Sequence, residues 1–165
     1  MVAPIFVLPA IPLDSFQFIA VRQKTIYTTI TANNFIGIKN LEIMKHEAKS
    51  VRTFIGAKNF EVSRTFYNDL GFEEFIIRKD MSYFKIFETL GFYLQDYYVP
   101  DWVNNSMIFL EVNNVEQYWN ELQGLGLHHK YKDVKLTPIK DDVWGRECFL
   151  NDPSGILWHF GEFNK

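Results

Sequence analysis

The sequence predicts an α+β fold in which two βαβββ modules form a curved mixed sheet around a cleft. Three observations predict it. A shift of 55 positions brings Asn59 onto Asn114, Glu61 onto Glu116, Leu70 onto Leu125 and Gly71 onto Gly126, the self-similarity of a duplicated unit. Each copy carries an apolar stripe at helical spacing: Val62, Phe66 and Leu70 in the first, Val115, Trp119 and Leu122 in the second. Finally, Asn151-Asp152-Pro153-Ser154-Gly155 separates two short apolar, aromatic runs, Arg146 to Leu150 and Ile156 to Phe160, which is the pattern of a hairpin.

In chain order, Met1 to Ala20 is apolar, but Pro4, Pro9 and Pro12 break any helix. No Lys or Arg precedes this run, so a secretory signal is not expected, and no apolar run reaches a membrane span. Ile26 to Ile38 has strand propensity without an obvious partner. Residues 1–48 are expected to be an N-terminal extension, and residues 49–165 the domain, with modules at 50–99 and 106–162. Either residues 1–43 lie upstream of a natural start at Met44, or the stretch is an added strand pair or partner-binding arm.

Within the domain, strands are expected at Val51 to Ala57, Glu74 to Lys79, Ser82 to Phe87 and Gly91 to Tyr98. In the second copy they fall at Met107 to Val112, His128 to Lys132 (the weakest), Arg146 to Leu150 and Ile156 to Phe160. Asn59 and Asn114 suit helix N-caps, and Gly71 and Gly126 the turns that follow. Val134 to Asp142, containing Pro138 and Asp141-Asp142, is expected to be a loop at the cleft mouth.

With 165 residues, 47% hydrophobic, the chain holds one sizeable core. Its 16 Phe serve either that core or a pocket for a flat ligand. A net charge of −3 without a Lys/Arg patch argues against nucleic acid. The single cysteine, Cys148, has no intramolecular partner and reads as a small buried apolar residue, which fits a reducing cytoplasm.

Trp144-Gly145, followed by Asp152-Pro153 and Gly155 and then by the exit Phe160-Gly161-Glu162, resembles the last hairpin of bleomycin-resistance-type proteins. These belong to the glyoxalase/bleomycin resistance/dioxygenase, or vicinal oxygen chelate, superfamily. The resemblance covers roughly the last two thirds of the chain, from near Val51. It implies the paired-module fold, a ligand site on the curved sheet, and a homodimer whose clefts use both chains.

A single module covers one sheet face with its helix and leaves the other for a cleft. Strand alternation sends Ile108, Leu110 and Val112 under the helix and Met107, Phe109 and Glu111 into the cleft. On the first strand Arg52 and Phe54 face the cleft, while Val51, Thr53 and Ile55 face the helix. Tyr93, Gln95 and Tyr97 match Leu157 and His159 by the internal repeat.

The resemblance places a divalent ion of metal-dependent relatives at Arg52, Gln95, Met107 and His159. Arg52 has no lone pair to give, Met107 is a soft thioether and Gln95 a weak neutral oxygen. Only His159 is a competent ligand, so no metal and no cofactor are expected. The adjacent His128-His129 pair points to opposite faces if on a strand. Without metal, the superfamily's Lewis-acid chemistry loses its agent, and no catalytic residue is assigned. His159 is either a satisfied core residue or an acid/base oriented by Glu111.

Three functions follow. The first is a metal-independent binding protein that sequesters a flat or cationic small molecule. The resemblance makes a bleomycin-type antibiotic the candidate. Phe54, Tyr93, Tyr97, Trp102, Phe109 and Trp144 would stack the ligand, with Glu111 and Asp141-Asp142 attracting a cation. Arg52, Gln95, Met107 and His159 complete the expected site. The second is a superfamily enzyme, a lyase or oxidoreductase with a degenerate or unusual metal site. The third is a protein-interaction scaffold whose cleft is filled by its own side chains or by the N-terminal arm.

Overall fold

The computed structural model describes residues 47–165. The expectations for the preceding stretch, including a start at Met44 and a strand at Ile26 to Ile38, lie outside the described residues. The first module runs β1 (Phe54–Gly56), α1 (Phe60–Asp69), β2 (Glu73–Arg78), β3 (Met81–Phe87) and β4 (Leu90–Gln95). A short helix, α2 (Pro100–Val103), leads to β5 (Met107–Glu111), α3 (Val115–Leu125), α4 (Leu127–Lys130), β6 (Lys135–Asp141), β7 (Gly145–Asn151) and β8 (Leu157–Phe163). The βαβββ unit is therefore used twice.

Both helices begin as their asparagines dictate. Asn59 Oδ1 accepts from Val62 N at 3.1 Å, and Asn114 Oδ1 from Gln117 N at 2.9 Å. Each bond satisfies a donor that the first helical turn leaves without a partner. Gly71 and Gly126 follow the helix ends with φ of 93° and 61°, where a side chain would be strained. Asn114→Ala is expected to lose about 1 kcal/mol of stability, read as a lower urea midpoint at unchanged slope.

Each module builds a four-stranded mixed sheet, in the orders β1-β4-β3-β2 and β5-β8-β7-β6. In both, the first strand lies parallel to the last and the others are antiparallel. The helix-side faces of the two sheets meet in one core: Phe92 of β4 contacts Trp158 of β8 at 5.3 Å, and Tyr67 of α1 touches Phe84, Phe92 and Trp158.

The core also contains a polar latch between modules. The Asp152–Gly155 turn of the second module reaches α1 of the first, where Tyr67 donates to Asp152 Oδ2 at 2.8 Å. Ser63 and Ser154 share a hydrogen bond of 3.0 Å, and Lys58 N donates to Ser154 Oγ. Trp158 Nε1 donates to the Tyr67 hydroxyl at 3.2 Å. Burial raises the Tyr67 hydroxyl well above its ordinary pKa, and the Asp152 charge adds to this. At the far end of α1, Asp69 accepts from Lys130 and Tyr131.

Four local expectations are corrected. Val134 to Asp142 is not a loop: β6 is the edge strand of its sheet, where Pro138 is tolerated and the register shifts between Thr137 and Lys140. Asp141 pairs with Arg146 Nε at 3.0 Å, and Asp142 caps the Val143 amide. The weak strand at His128 to Lys132 is instead the turn of helix α4, its two imidazole centroids 3.9 Å apart. Val62 is exposed, and the buried stripe of α1 is Phe60, Ser63, Phe66 and Tyr67. Val51 is 95% exposed because β1 begins only at Phe54. Among the described residues, no helix is long and apolar enough to cross a membrane.

Candidate ligand-binding faces

Because the helix sides of the sheets are buried together, the opposite faces stay open. Alternation sorts them as expected on β4, where Phe92 and Leu94 are buried while Tyr93 and Gln95 are half-buried. On β8, Trp158 and Phe160 are buried while Leu157 and His159 are half-buried.

On the first sheet the register aligns one residue per strand into a row: Phe54 with Tyr93, Tyr93 with Tyr83, and Tyr83 with Phe75. Phe54 stacks on Tyr93 at 4.7 Å and 16°, and Tyr83 lies 5.3 Å from Tyr93. The Arg52 guanidinium sits 4.5 Å over the Tyr83 ring, a cation–π contact, and donates from one terminal nitrogen to the Tyr93 hydroxyl at 3.5 Å. A hollow of about 320 Å³ beside this row is lined by Phe54, Gln95, Tyr97, Trp102, Val103 and Ser106.

The second sheet repeats the arrangement. Its row is Phe109, His159, Phe149 and Thr137, again one from each strand. Phe109 continues onto Trp144 at 5.7 Å and Phe163 at 5.7 Å. It lies across Gly161, where an added Cβ would sit 2.4 Å from the ring. Met107 and Leu157 flank the row, Met107 67% exposed.

His159 Nδ1 lies 2.8 Å from Glu147 Oε2, and both side chains are largely buried. The carboxylate that orients this imidazole is therefore Glu147 on β7, not the expected Glu111. Glu111 stands at the rim of a separate groove of about 440 Å³ between the modules, with Phe72, Leu90 and Tyr118. The internal match is also adjusted, because the strand that pairs Phe54 with Tyr93 corresponds to the one pairing Phe109 with His159. Tyr93, rather than Gln95, is thus the counterpart of His159.

Within one chain the two rows do not share a cavity, which corrects the expectation of a single hollow lined by both halves. The physical reason is the common core: packing helix side against helix side turns the open faces outward. Arg52, Phe54, Tyr93, Gln95, Tyr97 and Trp102 gather on the first face, and Met107, Phe109, Trp144 and His159 on the second. Sequence parity missed Tyr83, Phe75, Glu147, Phe149 and Phe163, although the same alternation on β2, β3 and β7 marks the first four.

The donors do not suit a divalent ion. Among the described residues no three His, Cys, Asp or Glu side chains converge as ligands, and His159 already has one nitrogen committed to Glu147. Cys148 is buried on the core side of β7, and burial raises its thiol to about 11, so it offers no ready nucleophile.

No protein-family model and no curated protein matches the sequence. Solved structures do match by fold. A bleomycin-binding protein complexed with bleomycin superposes with a TM-score of 0.59 at 14% identity, over 71% of this chain and 100% of that one. An antibiotic-binding protein from Streptomyces sp. CB03234 gives 0.57 at 16% identity, over 73% and 100%. A lactoylglutathione lyase from Agrobacterium tumefaciens gives 0.55 at 12% identity, over 71% and 96%. The fold is that of the glyoxalase/bleomycin resistance, or vicinal oxygen chelate, proteins, and it carries both binders and enzymes.

Proposed function

We propose that the protein binds a flat aromatic small molecule and leaves it chemically unchanged. The observation that carries this reading is the pair of register-matched aromatic rows left open on the two sheets. Monomeric proteins seldom leave such surfaces uncovered without a use for them. Among the described residues no three His, Cys, Asp or Glu side chains converge as metal ligands, which favours binding over Lewis-acid chemistry. The names of the similar structures, an antibiotic-binding and a bleomycin-binding protein, make a bleomycin-type antibiotic the first compound to try.

A cleft closes when the first face of one copy meets the second face of another, so a homodimer is part of the proposal. Charge supports it, since Arg52 stands on the first face and Glu147 beside His159 on the second. Titration with bleomycin and with a planar heteroaromatic is expected to quench tryptophan fluorescence to a stoichiometric end point. Trp144→Phe should remove much of that change, and the ligand should be recovered intact. A sedimentation coefficient of a monomer with ligand bound, or steady turnover of the ligand, would overturn the reading.

A further inference from the structure

We propose that the groove between the modules is a second ligand site, one for a small amphiphilic amine with an apolar body and a single ammonium group. It is separate from the aromatic rows and does not depend on them. The groove encloses about 440 Å³, within the roughly 300–1,000 Å³ of small-molecule sites. Its walls come from three places. Leu70 and Phe72 follow α1, Ile86 and Leu90 belong to the β3–β4 hairpin, and Leu110 and Tyr118 come from β5 and α3. Leu70 and Phe72 are buried, whereas Leu90 is 49% and Phe87 63% exposed at the rim. Large apolar side chains left open beside a hollow are a surface for a ligand's hydrocarbon to cover.

Charge selects the ligand's polar end. The lining holds Glu111 and Glu121 and no Lys, Arg or His. Neither carboxylate makes an ion pair among the described residues. Gln117 Nε2 donates to Glu121 Oε1 at 2.9 Å, which steadies that carboxylate on the α3 wall. The charge of Glu121 is already felt in the groove: the Tyr118 hydroxyl is raised to about 12, by burial first and by Glu121 next. An ammonium group brings the missing positive charge and three donors. An anion of the same shape would be repelled, and a neutral alcohol would gain only the apolar contact.

The test uses the full chain and three compounds that share one rigid apolar cage: aminoadamantane, adamantanol and adamantanecarboxylate. Isothermal titration calorimetry is expected to show the amine binding about tenfold more tightly than the alcohol, the effect of one charge-assisted hydrogen bond, and no binding of the carboxylate. Glu121→Gln should bring the amine down to the alcohol's affinity. Leu90→Lys, at an exposed rim position, sets a cation beside the groove and should weaken the amine by a similar factor. Glu111 is left in place, because it stands two residues beyond Phe109 on β5 and so borders the second row as well. Equal affinity for amine and alcohol, or no amine binding at all, would overturn the inference. So would amine binding that survives both substitutions and is lost in Phe109→Ala, which would put the amine on the sheet face. The planar-ligand titration reports on the aromatic rows alone, so either reading can fail without the other.

Discussion

Trp158→Ala is expected to lower stability by about 3–5 kcal/mol, the range for truncating a large buried aromatic. The side chain is fully buried and touches rings from both modules: Tyr67, Phe72 and Phe92 from the first, Phe160 from its own strand. The substitution also removes the donor that Trp158 Nε1 gives to Tyr67. Its neighbours belong to α1, to the turn that follows it and to both sheets, elements held in place by their own hydrogen bonds, so they cannot close around the void. Urea unfolding followed by far-UV circular dichroism measures the loss. A change below about 1 kcal/mol, small for a buried aromatic, would mean that the modules are not joined through this ring.

Asp152→Ala is expected to cost about 3 kcal/mol or more, because it strands several buried donors worth roughly 1–3 kcal/mol each. Those donors are the Tyr67 hydroxyl and the amides of Ser154 and Ile156. The same carboxylate gives a pH signature. Burial raises Asp152 from 3.8 to about 6, against the opposing pull of Tyr67 and of the Ile156, Ser154 and Gly155 amides. Its folded pKa is thus above its unfolded one. Its contribution is complete below the unfolded value and is lost as pH rises through about 6.

Two other carboxylates work the opposite way. Asp69 is lowered by hydrogen bonds from Lys130 and Tyr131. Glu74, despite burial, is lowered by hydrogen bonds from Arg64, Ser82 and Asn68. Both lose stability as pH falls. The difference between wild type and Asp152→Asn cancels those terms, since the amide does not titrate. Wild type should lose ground to this variant between pH 4 and 7, by up to about 3 kcal/mol. A flat difference across that window would show that Asp152 is ionised throughout.

Much of this architecture is written plainly in the chain. The two asparagine caps, the glycines after the helices and the alternation on β4 and β8 are local signals, and each element formed where they point. What escaped depends on partners distant in sequence. Ser63 is buried because Ser154 meets it across the latch, and a count of apolar residues along a helix passes over it in favour of exposed Val62. Pro138 reads as a loop because its missing N–H is a defect in a central strand and harmless on an edge, and nothing local says which strand is the edge.

The candidate site divides in the same way. Parity put Phe54, Tyr93, Phe109 and His159 on the sheet faces away from the helices, because side-chain direction is a local property of a strand. The partner of His159 required the β7–β8 register, which sets Phe149 opposite it and Glu147 on the diagonal. Glu111 was the carboxylate visible on a strand already in hand. That both faces look away from each other was beyond local reading altogether, because it follows from how two finished modules choose to dock.

The latch has a consequence for biosynthesis. Tyr67 and Phe72 of the first half find Trp158, and Tyr67 finds Asp152, only some ninety residues later in the chain. At roughly 5–20 residues per second on the ribosome, those aromatics wait about 5–20 s before their permanent neighbours emerge. Translation therefore completes the opening half last, and a transcript cut short before the closing hairpin yields no finished half at all.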